Sequence, residues 1–581
     1  MNILIVNDPE ANRSDYLAEM LTLWGCACSK PVAPNALADA TDAVAAIVPP
    51  SVEADLQSAR SYLASGGHLI LIAPRREVLQ ALDMDYGTQY ADNGGVAYLR
   101  LVTPLLGPYS HHALPVLGRR IQPIPAAVEV ALPKGAVVSA YVYENDEYLN
   151  DRPAIWTVPV GKGQVTVFAY DLVECYRNLR QGLPRHAGWR PPGEFHARPA
   201  DLFGPDWSSQ YAATLLPLAD FHPMLLLRLI VGLADWPVPL FWQLPDAHRS
   251  AVIISGDEDA GDPSYNEEIC SFLDTLDANM VIYIIPQRTD STPEQLGQLM
   301  RRGHGFSVHP YPTVGGQSDE EATSDHLKLL EACVTTFRER YGLATRSIVN
   351  HRVLWTDRYA EIPRLWERLG VEMDVNYGAS TIARGYGFGH PAGILPISFL
   401  DEGFKRIDVL QHVRAIGDDT YLADFIFSRR TTPEMFETYC DALVTQALEP
   451  LGIPVGTCFH PINYHQFASE ATQRFLRRAK SHGAALMSDL QWLDFWQMRR
   501  AWRLVSVSGR ESQFTYSLAG DKPSDRLSVT VPTQHRGKRI REVKIEGRQV
   551  ETCSSSSFGQ ERSLVVLPDG ADRVDLEATY A

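Results

Sequence analysis

The stretch Ala251-Val-Ile-Ile-Ser-Gly-Asp-Glu-Asp-Ala-Gly261 joins an apolar run to a pair of aspartates. The apolar run predicts a buried strand, so Asp257 and Asp259 lie where a strand ends and a loop begins. Because a single residue separates them, a local turn can direct both side chains at one point. One carboxylate can then hold a metal ion while the other accepts a proton from water, as in metal-assisted hydrolysis. An acidic turn that caps a helix is the alternative interpretation.

Strand and helix patterns alternate around this stretch and predict a barrel over residues 246–500. Helices fill the gaps between strands, as at 319–341 and 433–449. Seven or eight repeats of ~30 residues predict a closed or nearly closed (β/α) barrel, whose active site lies at the carboxyl ends of its strands. The predicted strands are 251–255, 280–285, 305–309, 346–350, 371–375, 407–411, 455–459 and 484–487.

Residues 1–240 show the same alternation and predict a doubly wound α/β domain. The segment Val160-Gly-Lys-Gly-Gln-Val-Thr-Val-Phe-Ala-Tyr-Asp171 resembles the closing strand of glutamine-amidotransferase-like domains. An active amidotransferase needs a cysteine on a tight strand-to-helix elbow, and no cysteine of this chain has that setting. We therefore predict a non-catalytic scaffold. The three prolines of residues 236–245 predict a linker after it.

The last segment, 501–581, predicts a β-sandwich, because short strands alternate with turns such as Leu567-Pro-Asp-Gly570. The chain is thus predicted to be α/β in three domains, which agrees with the roughly three or four domains expected for its length. Its eight cysteines are scattered, and Cys26 and Cys28 form the only close pair in the sequence. Free, mostly buried thiols are therefore expected.

Charge and hydropathy restrict the classes of partner. The formal net charge of -17 argues against a nucleic-acid partner, since a phosphate-binding surface needs clustered Lys and Arg. It is compatible with a cationic polymer as substrate and also with plain solubility. Residues 224–234 are the most apolar stretch but include Arg228, and they predict a buried helix rather than a membrane span. Met1-Asn-Ile-Leu-Ile-Val6 lacks a signal-peptide pattern, which favours a cytoplasmic protein unless the numbering begins at a mature or engineered terminus.

Histidines lie at the ends of three further predicted strands of the barrel: His309, His351 and His460. A lone histidine is more often structural than catalytic. Three histidines and two aspartates at corresponding ends of one barrel are harder to explain in that way. A His/His/Asp set is typical of an open divalent-metal site, usually zinc.

These motifs resemble those of the polysaccharide deacetylase superfamily. The segment Gly303-His-Gly-Phe-Ser-Val-His309 is similar to the second motif of that family, and Asn350-His-Arg-Val-Leu-Trp355 is typical of a divergent branch. The resemblance implies that Asp257 is the catalytic base, that Asp259 is a metal ligand and that His460 is the catalytic acid.

The chain departs from the family at one point. The family usually places a second histidine ligand three or four residues after the first, where this chain has Pro312 and Thr313. Either the site lacks a metal or another side chain completes it. His351, at the next strand end, is the best candidate, and His304 is the second choice, although it precedes its strand and should point to the other end of the barrel. The predicted metal ligands, with zinc as the expected ion, are Asp259, His309 and His351.

Other residues near these strand ends have two interpretations each. Arg352 could hold Asp257 in its ionised form or be a surface charge, and Trp355 could stack on a sugar ring or belong to the core. Residues 385–390 are rich in glycine and could lie over a substrate, but they do not join a strand to a helix as a phosphate-binding loop does. The candidate substrate-binding residues, with loop packing as the alternative for the others, are Tyr311, Trp355, Asn463 and His465.

The sequence therefore predicts a metal-dependent hydrolase that removes N-acetyl groups from an amino-sugar-containing glycan, with Asp257, His460 and Arg352 as catalytic residues. One alternative is a barrel that has lost its metal and only binds glycans, as the missing second histidine suggests. Another is a glycoside hydrolase, which needs two acids ~5–10 Å apart, a spacing for which two carboxylates on one turn are badly placed. A carbohydrate is the expected partner, and whether the chain forms a homo-oligomer stays open.

Overall fold

The protein combines an N-terminal α/β sheet, a central parallel barrel and two C-terminal antiparallel sheets. This arrangement confirms the predicted α/β fold class. The computed structural model describes residues 3–7, 13–40, 43–50, 55–84, 88–91, 97–118, 120–123, 132–143, 152–190, 197–204, 216–311, 319–378, 393–424, 430–557 and 560–581.

The described residues of the N-terminal segment form eleven strands and five α-helices. The strands are β1 (Ile3–Val6), β2 (Ser29–Val32), β3 (Ala45–Val48), β4 (His68–Ile72), β5 (Thr88–Ala91), β6 (Ala97–Leu101), β7 (Leu114–Val116), β8 (Arg120–Pro123), β9 (Val137–Tyr143), β10 (Arg152–Val160) and β11 (Gly163–Phe168). The helices are α1 (Arg13–Leu23), α2 (Leu56–Ala64), α3 (Arg76–Ala81), α4 (Leu172–Gln181) and α5 (Phe221–Leu233).

Nine of these strands form one sheet in the order β2-β1-β3-β4-β11-β10-β9-β6-β7, and β5 pairs with β8 apart from it. The strands from β2 to β11 are parallel, and those beyond β11 are antiparallel. Alternate residues of β3 face different cores: Ala46 and Val48 pack with residues of α2 and α3, whereas Ala45 and Ile47 pack with residues of α1, α4 and α5. Helices therefore cover both faces of the sheet, as in the predicted doubly wound pattern.

The central barrel follows a short strand, β12 (Leu240–Phe241). Its strands are β13 (Ala251–Glu258), β14 (Val281–Ile284), β15 (Gly305–Val308), β16 (Ser347–Ile348), β17 (Met373–Gly378), β18 (Ile397–Leu400), β19 (Arg406–Gly417), β20 (Pro454–Cys458) and β21 (Ala485–Ser488). The helices are α6 (Pro263–Asp274), α7 (Pro293–Arg301), α8 (Asp319–Tyr341), α9 (Glu361–Leu369), α10 (Asp418–Tyr421), α11 (Pro433–Ala442), α12 (Pro461–Asn463), α13 (Ser469–Ser481) and α14 (Asp489–Arg500).

Seven parallel strands close the barrel in the order β13-β14-β15-β16-β17-β19-β20 and back to β13. The eighth predicted strand, β21, pairs only with residues 251–254 of β13, while β14 pairs with residues 255–258 on the same edge. β21 therefore lies at the amino end of the barrel and not in the ring. β13 is buried at every position, as a strand inside a parallel barrel must be.

One barrel strand is much longer than the sequence predicted. β19 covers Arg406–Gly417, whereas the apolar pattern ended at residue 411. The extension contains His412 and Arg414, and both side chains are buried in the barrel. Polar residues that point into the barrel interrupt the apolar run, so hydrophobicity alone underestimates the length of this strand.

The C-terminal segment forms the predicted β-sandwich. One sheet has the order β12-β24-β29-β28 and the other the order β22-β23-β30-β26-β25, with β27 paired to β26. Its strands are β22 (Trp502–Arg510), β23 (Gln513–Gly520), β24 (Ser528–Pro532), β25 (Gln534–His535), β26 (Lys538–Ile545), β27 (Arg548–Gln549), β28 (Cys553–Ser557), β29 (Gln560–Val566) and β30 (Arg573–Tyr580).

The predicted linker at 236–245 is packed against this sandwich. Leu240 and Phe241 of β12 pair with β24, and the guanidinium of Arg562 donates a hydrogen bond to the carbonyl of Val238. One hydrophobic core joins residues of the N-terminal sheet, the barrel and the sandwich. The domain boundaries at 240, 246 and 501 stay predictions.

Two expectations about cysteines and membranes can be compared with the structure. All eight cysteines are free thiols, and all except Cys553 are buried, as predicted. Within the described part of the chain, no helix combines the length and the apolar character needed to cross a bilayer.

Candidate active site

The carboxyl end of the barrel brings together the five residues that the strand-end pattern singled out. Asp257 is the second-to-last residue of β13 and Asp259 follows the strand, while the three histidines follow β15, β16 and β20. Oδ1 of Asp259 lies 3.3 Å from Nε2 of His309 and 3.8 Å from Nε2 of His351. Oδ2 of Asp259 lies 3.9 Å from Nε2 of His460. Three imidazoles thus surround one carboxylate, whose side chain is 37% exposed at the mouth.

The orientation of His309 suits a metal ligand. Its Nδ1 lies 2.8 Å from the carbonyl oxygen of Val349, and only a protonated nitrogen can donate to that acceptor. Nε2 faces Oδ1 of Asp259 at 3.3 Å, and once it has given up its proton its lone pair would be available to a cation placed between the two groups. A backbone acceptor that fixes the other ring nitrogen in this way is usual for metal-binding histidines.

The turn that carries His351 is strained and firmly held. Arg352 and Val353 have φ angles of 56° and 49°, which are costly for residues other than glycine and most of all for β-branched valine. The amide of His351 donates to the carbonyl of Pro310, and the side-chain amide of Asn350 donates to the carbonyl of Leu354. These bonds hold the imidazole of His351 at the mouth in spite of the strain.

The environment of His351 keeps its imidazole neutral. Burial lowers the pKa of His351 to about 4, assisted by the nearby charge of His309. The ring of Tyr311 lies over it with centroids 4.2 Å apart. A neutral imidazole is the form that binds metals. Asp259, His309 and His351 therefore offer one carboxylate and two imidazoles, a donor set that fits a divalent ion such as zinc.

Asp257 is paired with an arginine that the sequence analysis did not select. Nη1 of Arg414 donates to both carboxylate oxygens of Asp257, at 3.0 and 3.2 Å. Burial raises the pKa of Asp257, but the charge of Arg414, followed by those of His309 and His460, outweighs this and leaves the pKa below its usual value. Asp257 is therefore a carboxylate at neutral pH.

Arg352, the predicted partner of Asp257, is exposed in the strained turn. Its placement agrees with the alternative interpretation, a surface charge. An arginine does hold Asp257 in its ionised form, but it is Arg414 and not Arg352. Arg414 reaches Asp257 from the extended β19, 157 residues away in sequence.

His460 is held by a second carboxylate below the mouth. Its Nδ1 donates to Oδ1 of Asp418 at 2.6 Å, and its backbone amide donates to Oδ2 at 2.8 Å. Burial would lower the pKa of His460. The charge and hydrogen bond of Asp418, followed by the charges of Asp419 and Asp259, instead raise this pKa well above its ordinary value. His460 is therefore protonated at neutral pH.

We expect Asp418→Asn to lower the pKa of His460 substantially, because asparagine keeps the shape of the acceptor and removes its charge. In the native protein His460 stays protonated well above its ordinary pKa, so deprotonation should move to lower pH in the variant. NMR titration of the His460 ring measures this directly, with His465 as an internal control. An unchanged His460 titration would contradict the pairing with Asp418.

Three of the predicted substrate-binding residues, Trp355, Asn463 and His465, have different surroundings. Trp355 is buried, its ring packs edge-on against Tyr377, and its backbone pairs with Ala197, so it belongs to the core. The side-chain amide of Asn463 donates to Asp418, which places it beneath the mouth. His465 is half exposed.

His465, Tyr311 and His304 are each held by one contact with a charged side chain. His465 bonds Glu268 at 2.7 Å. Tyr311 lies beneath the guanidinium of Arg288, 3.5 Å from its ring centroid. His304 bonds Asp274 at 3.1 Å and precedes β15, so it lies at the other end of the barrel, as expected.

Sequence reasoning missed Arg414, Asp418 and Cys458. Asp418 and Asp419 directly follow β19, but the apolar pattern ended at residue 411, so the strand-end signal that drew attention to Asp257 and Asp259 was hidden here. Arg414 left no comparable signal, because a charged residue in a strand usually faces solvent. Pro312, Thr313 and the glycine-rich residues 385–390 lie outside the described residues.

Comparison with known proteins yields weak structural likenesses. The chain is similar to Agd3, a carbohydrate deacetylase, with 10% identity, a TM-score of 0.38 and coverage of 100% of this chain and 98% of that one. It is similar to the peptidoglycan deacetylase PdaC from Bacillus subtilis, with 13% identity, a TM-score of 0.26 and coverage of 43% and 92%. It is also similar to Puue allantoinase, with 14% identity, a TM-score of 0.33 and coverage of 44% and 92%.

No family model matches the sequence, and no curated protein matches it. The functional assignment therefore rests on the geometry and chemistry of the site.

Proposed function

We propose that this protein is a metal-dependent hydrolase that removes N-acetyl groups from an amino-sugar-containing glycan. The observation that carries the proposal is the convergence of His309, His351 and His460 on the carboxylate of Asp259, beside the separate Asp257–Arg414 pair. A proton acceptor, a proton donor and a set of metal ligands thus share one barrel mouth, which is what amide hydrolysis requires.

Asp259, His309 and His351 would hold the divalent ion, with zinc as the expected metal. When bound, such an ion supplies Lewis acidity for the acyl oxygen and lowers the pKa of water. The remaining steps belong to the side chains of the chain itself. Asp257 accepts the proton of the attacking water, and Arg414 keeps it ionised and fixed in position. His460 is protonated and donates a proton to the leaving amine, while Asp418 orients its ring.

The charge environment of Asp257 and Asp259 favours this function over a glycoside hydrolase. In the latter, one carboxyl group must be protonated to act on the leaving oxygen. The pKa of Asp257 is lowered by Arg414 and its neighbours, in spite of burial, and the pKa of Asp259 is lowered by the hydrogen bond and charges of the surrounding histidines. Neither aspartate is therefore suited to act as a carboxylic acid at neutral pH.

The decisive experiment is removal and replacement of the metal. We expect dialysis against a chelator to abolish acetate release from N-acetylated glucosamine and galactosamine oligomers, and added zinc, cobalt or nickel to restore it. New reducing ends, measured in the same samples, would indicate a glycoside hydrolase. Oligosaccharide binding without acetate release in the zinc-loaded protein would indicate a glycan-binding barrel. Full activity without metal would overturn the mechanism.

We also propose that the N-terminal domain is a non-catalytic scaffold related to amidotransferase-like domains. Its cysteines within the described ranges, Cys26, Cys28 and Cys175, are buried. Phe404, between β18 and β19 of the barrel, inserts between the guanidinium groups of Arg13 and Arg177, 3.9 and 4.1 Å from its ring centroid. Arg13 also bonds Asp171, the N-cap of α4, so this contact links a barrel side chain to the start of that helix.

A further inference from the structure

A thiol lies among the groups that the proposed mechanism uses. Cys458 ends β20, two residues before His460, and is buried. Its Sγ, a carboxylate oxygen of Asp257 and a ring nitrogen of His460 all lie within 4.8 Å of one another. The mechanism assigns no task to Cys458, although its sulfur is a strong ligand for soft and borderline metal ions.

The three side chains are held by other contacts that leave metal-binding atoms free. His460 is bonded to Asp418 through Nδ1, which leaves Nε2 directed towards the mouth. Each oxygen of Asp257 accepts one hydrogen bond from Arg414 and retains a lone pair. The convergence therefore brings one sulfur, one nitrogen and one oxygen donor to the same place.

This place adjoins the set formed by Asp259, His309 and His351 but uses other donor groups. Oδ1 of Asp259 faces His309 and His351 and its Oδ2 faces His460, while Oδ2 of Asp257 lies 4.0 Å from Nε2 of His309. An ion beside Cys458 would therefore be a neighbour of the first ion and would not replace it.

We propose that Cys458, His460 and Asp257 form a second metal position, specific for thiolate-binding divalent ions such as Zn²⁺ in excess or Cd²⁺, and that its occupation inhibits the enzyme. The inhibition follows because the same ion would take the proton donor and the proton acceptor of the reaction. The binding part of the proposal stands on this geometry alone, whereas the inhibition part rests on the proposed function.

Binding at this position exchanges two protons for the ion. The thiol of Cys458 loses its proton to solvent as the metal–sulfur bond forms, and the protonated ring of His460 releases the proton of Nε2 to solvent as the metal–nitrogen bond forms, while Nδ1 keeps its proton for Asp418. Burial raises the pKa of Cys458 well above its usual value, so the thiol is protonated without metal. Ions with strong affinity for thiolate can displace that proton, whereas Mg²⁺ and Ca²⁺, which prefer oxygen ligands, should not.

The test uses the full-length protein loaded with one equivalent of zinc and titrated with Cd²⁺. We expect a second equivalent to bind in calorimetry and to produce a thiolate-to-cadmium charge-transfer band in the ultraviolet. Cys458→Ala should lose both the band and the second equivalent. Cys553→Ser, which removes the exposed thiol of the C-terminal sandwich, should keep both, and Mg²⁺ should produce neither.

If Cys458→Ala fails to fold, Cys458→Ser takes its place, because it also removes the sulfur. Circular dichroism shows whether each variant is folded. A charge-transfer band that persists without Cys458, or a native protein that binds a single equivalent, would overturn the metal position. Inhibition of acetate release is measured as a fraction of the uninhibited rate of each variant. Equal inhibition in native protein and in Cys458→Ala would overturn the inhibitory role. The charge-transfer band shows whether Cys458 binds the ion even if the protein releases no acetate.

Discussion

Asp257→Asn should lower the turnover number for acetate release by about 100-fold or more, while the protein retains its metal. A positioned general base typically contributes ~10²–10⁴-fold, and an asparagine amide cannot accept the proton of the attacking water. A loss of 100-fold corresponds to about 2.7 kcal/mol in the activation free energy. Metal content, measured by atomic emission, separates loss of the base from loss of the ion.

His460→Ala should cause a loss of similar size with the metal retained, because the leaving amine then has no proton donor. Arg352→Ala is the matched control for both variants, since Arg352 is charged and close in sequence to His351 but exposed. Its turnover should equal that of the native protein. Native rates in Asp257→Asn or His460→Ala would remove that residue from the mechanism.

His351→Ala should lose metal and activity together. The imidazole of His351 lies 3.8 Å from Asp259 and is neutral, so we expect it to be the third protein ligand. Loss of an outer partner of a ligand typically weakens metal affinity ~10–100-fold, and loss of the ligand itself should weaken it by more than about 100-fold. Competition with a chromophoric chelator measures this affinity without reference to activity.

His465→Ala is the matched control for His351→Ala, because His465 is half exposed and bonded to Glu268, which is not one of the proposed ligands. It should bind metal as tightly as the native protein. A zinc-soaked crystal gives an independent measurement, in which a ring nitrogen of His351 is expected about 2.0–2.1 Å from the ion. A bound ion that His351 does not touch would refute this assignment.

The sequence by itself determined the barrel and showed that the candidate site residues meet at the carboxyl end of its strands. Strand runs such as 251–254 and 280–285 are continuous apolar segments, and a parallel sheet buried on both faces requires that pattern. Polar residues that immediately follow such runs must lie at one end of a parallel barrel. This local reasoning selected Asp257, Asp259, His309, His351 and His460, which the structure brings together.

Only the tertiary structure decided which side chains support that cluster. Arg414 reaches Asp257 across 157 residues of sequence, and Asp418 reaches His460 across 42. No local pattern indicates such pairs, because a charged residue inside a strand or loop is ordinarily solvated. Barrel closure created these contacts when it placed β13, β19 and β20 side by side. The position of Cys458 between base and acid follows from the same closure, since the hydrogen-bond register of these strands is a property of the whole sheet.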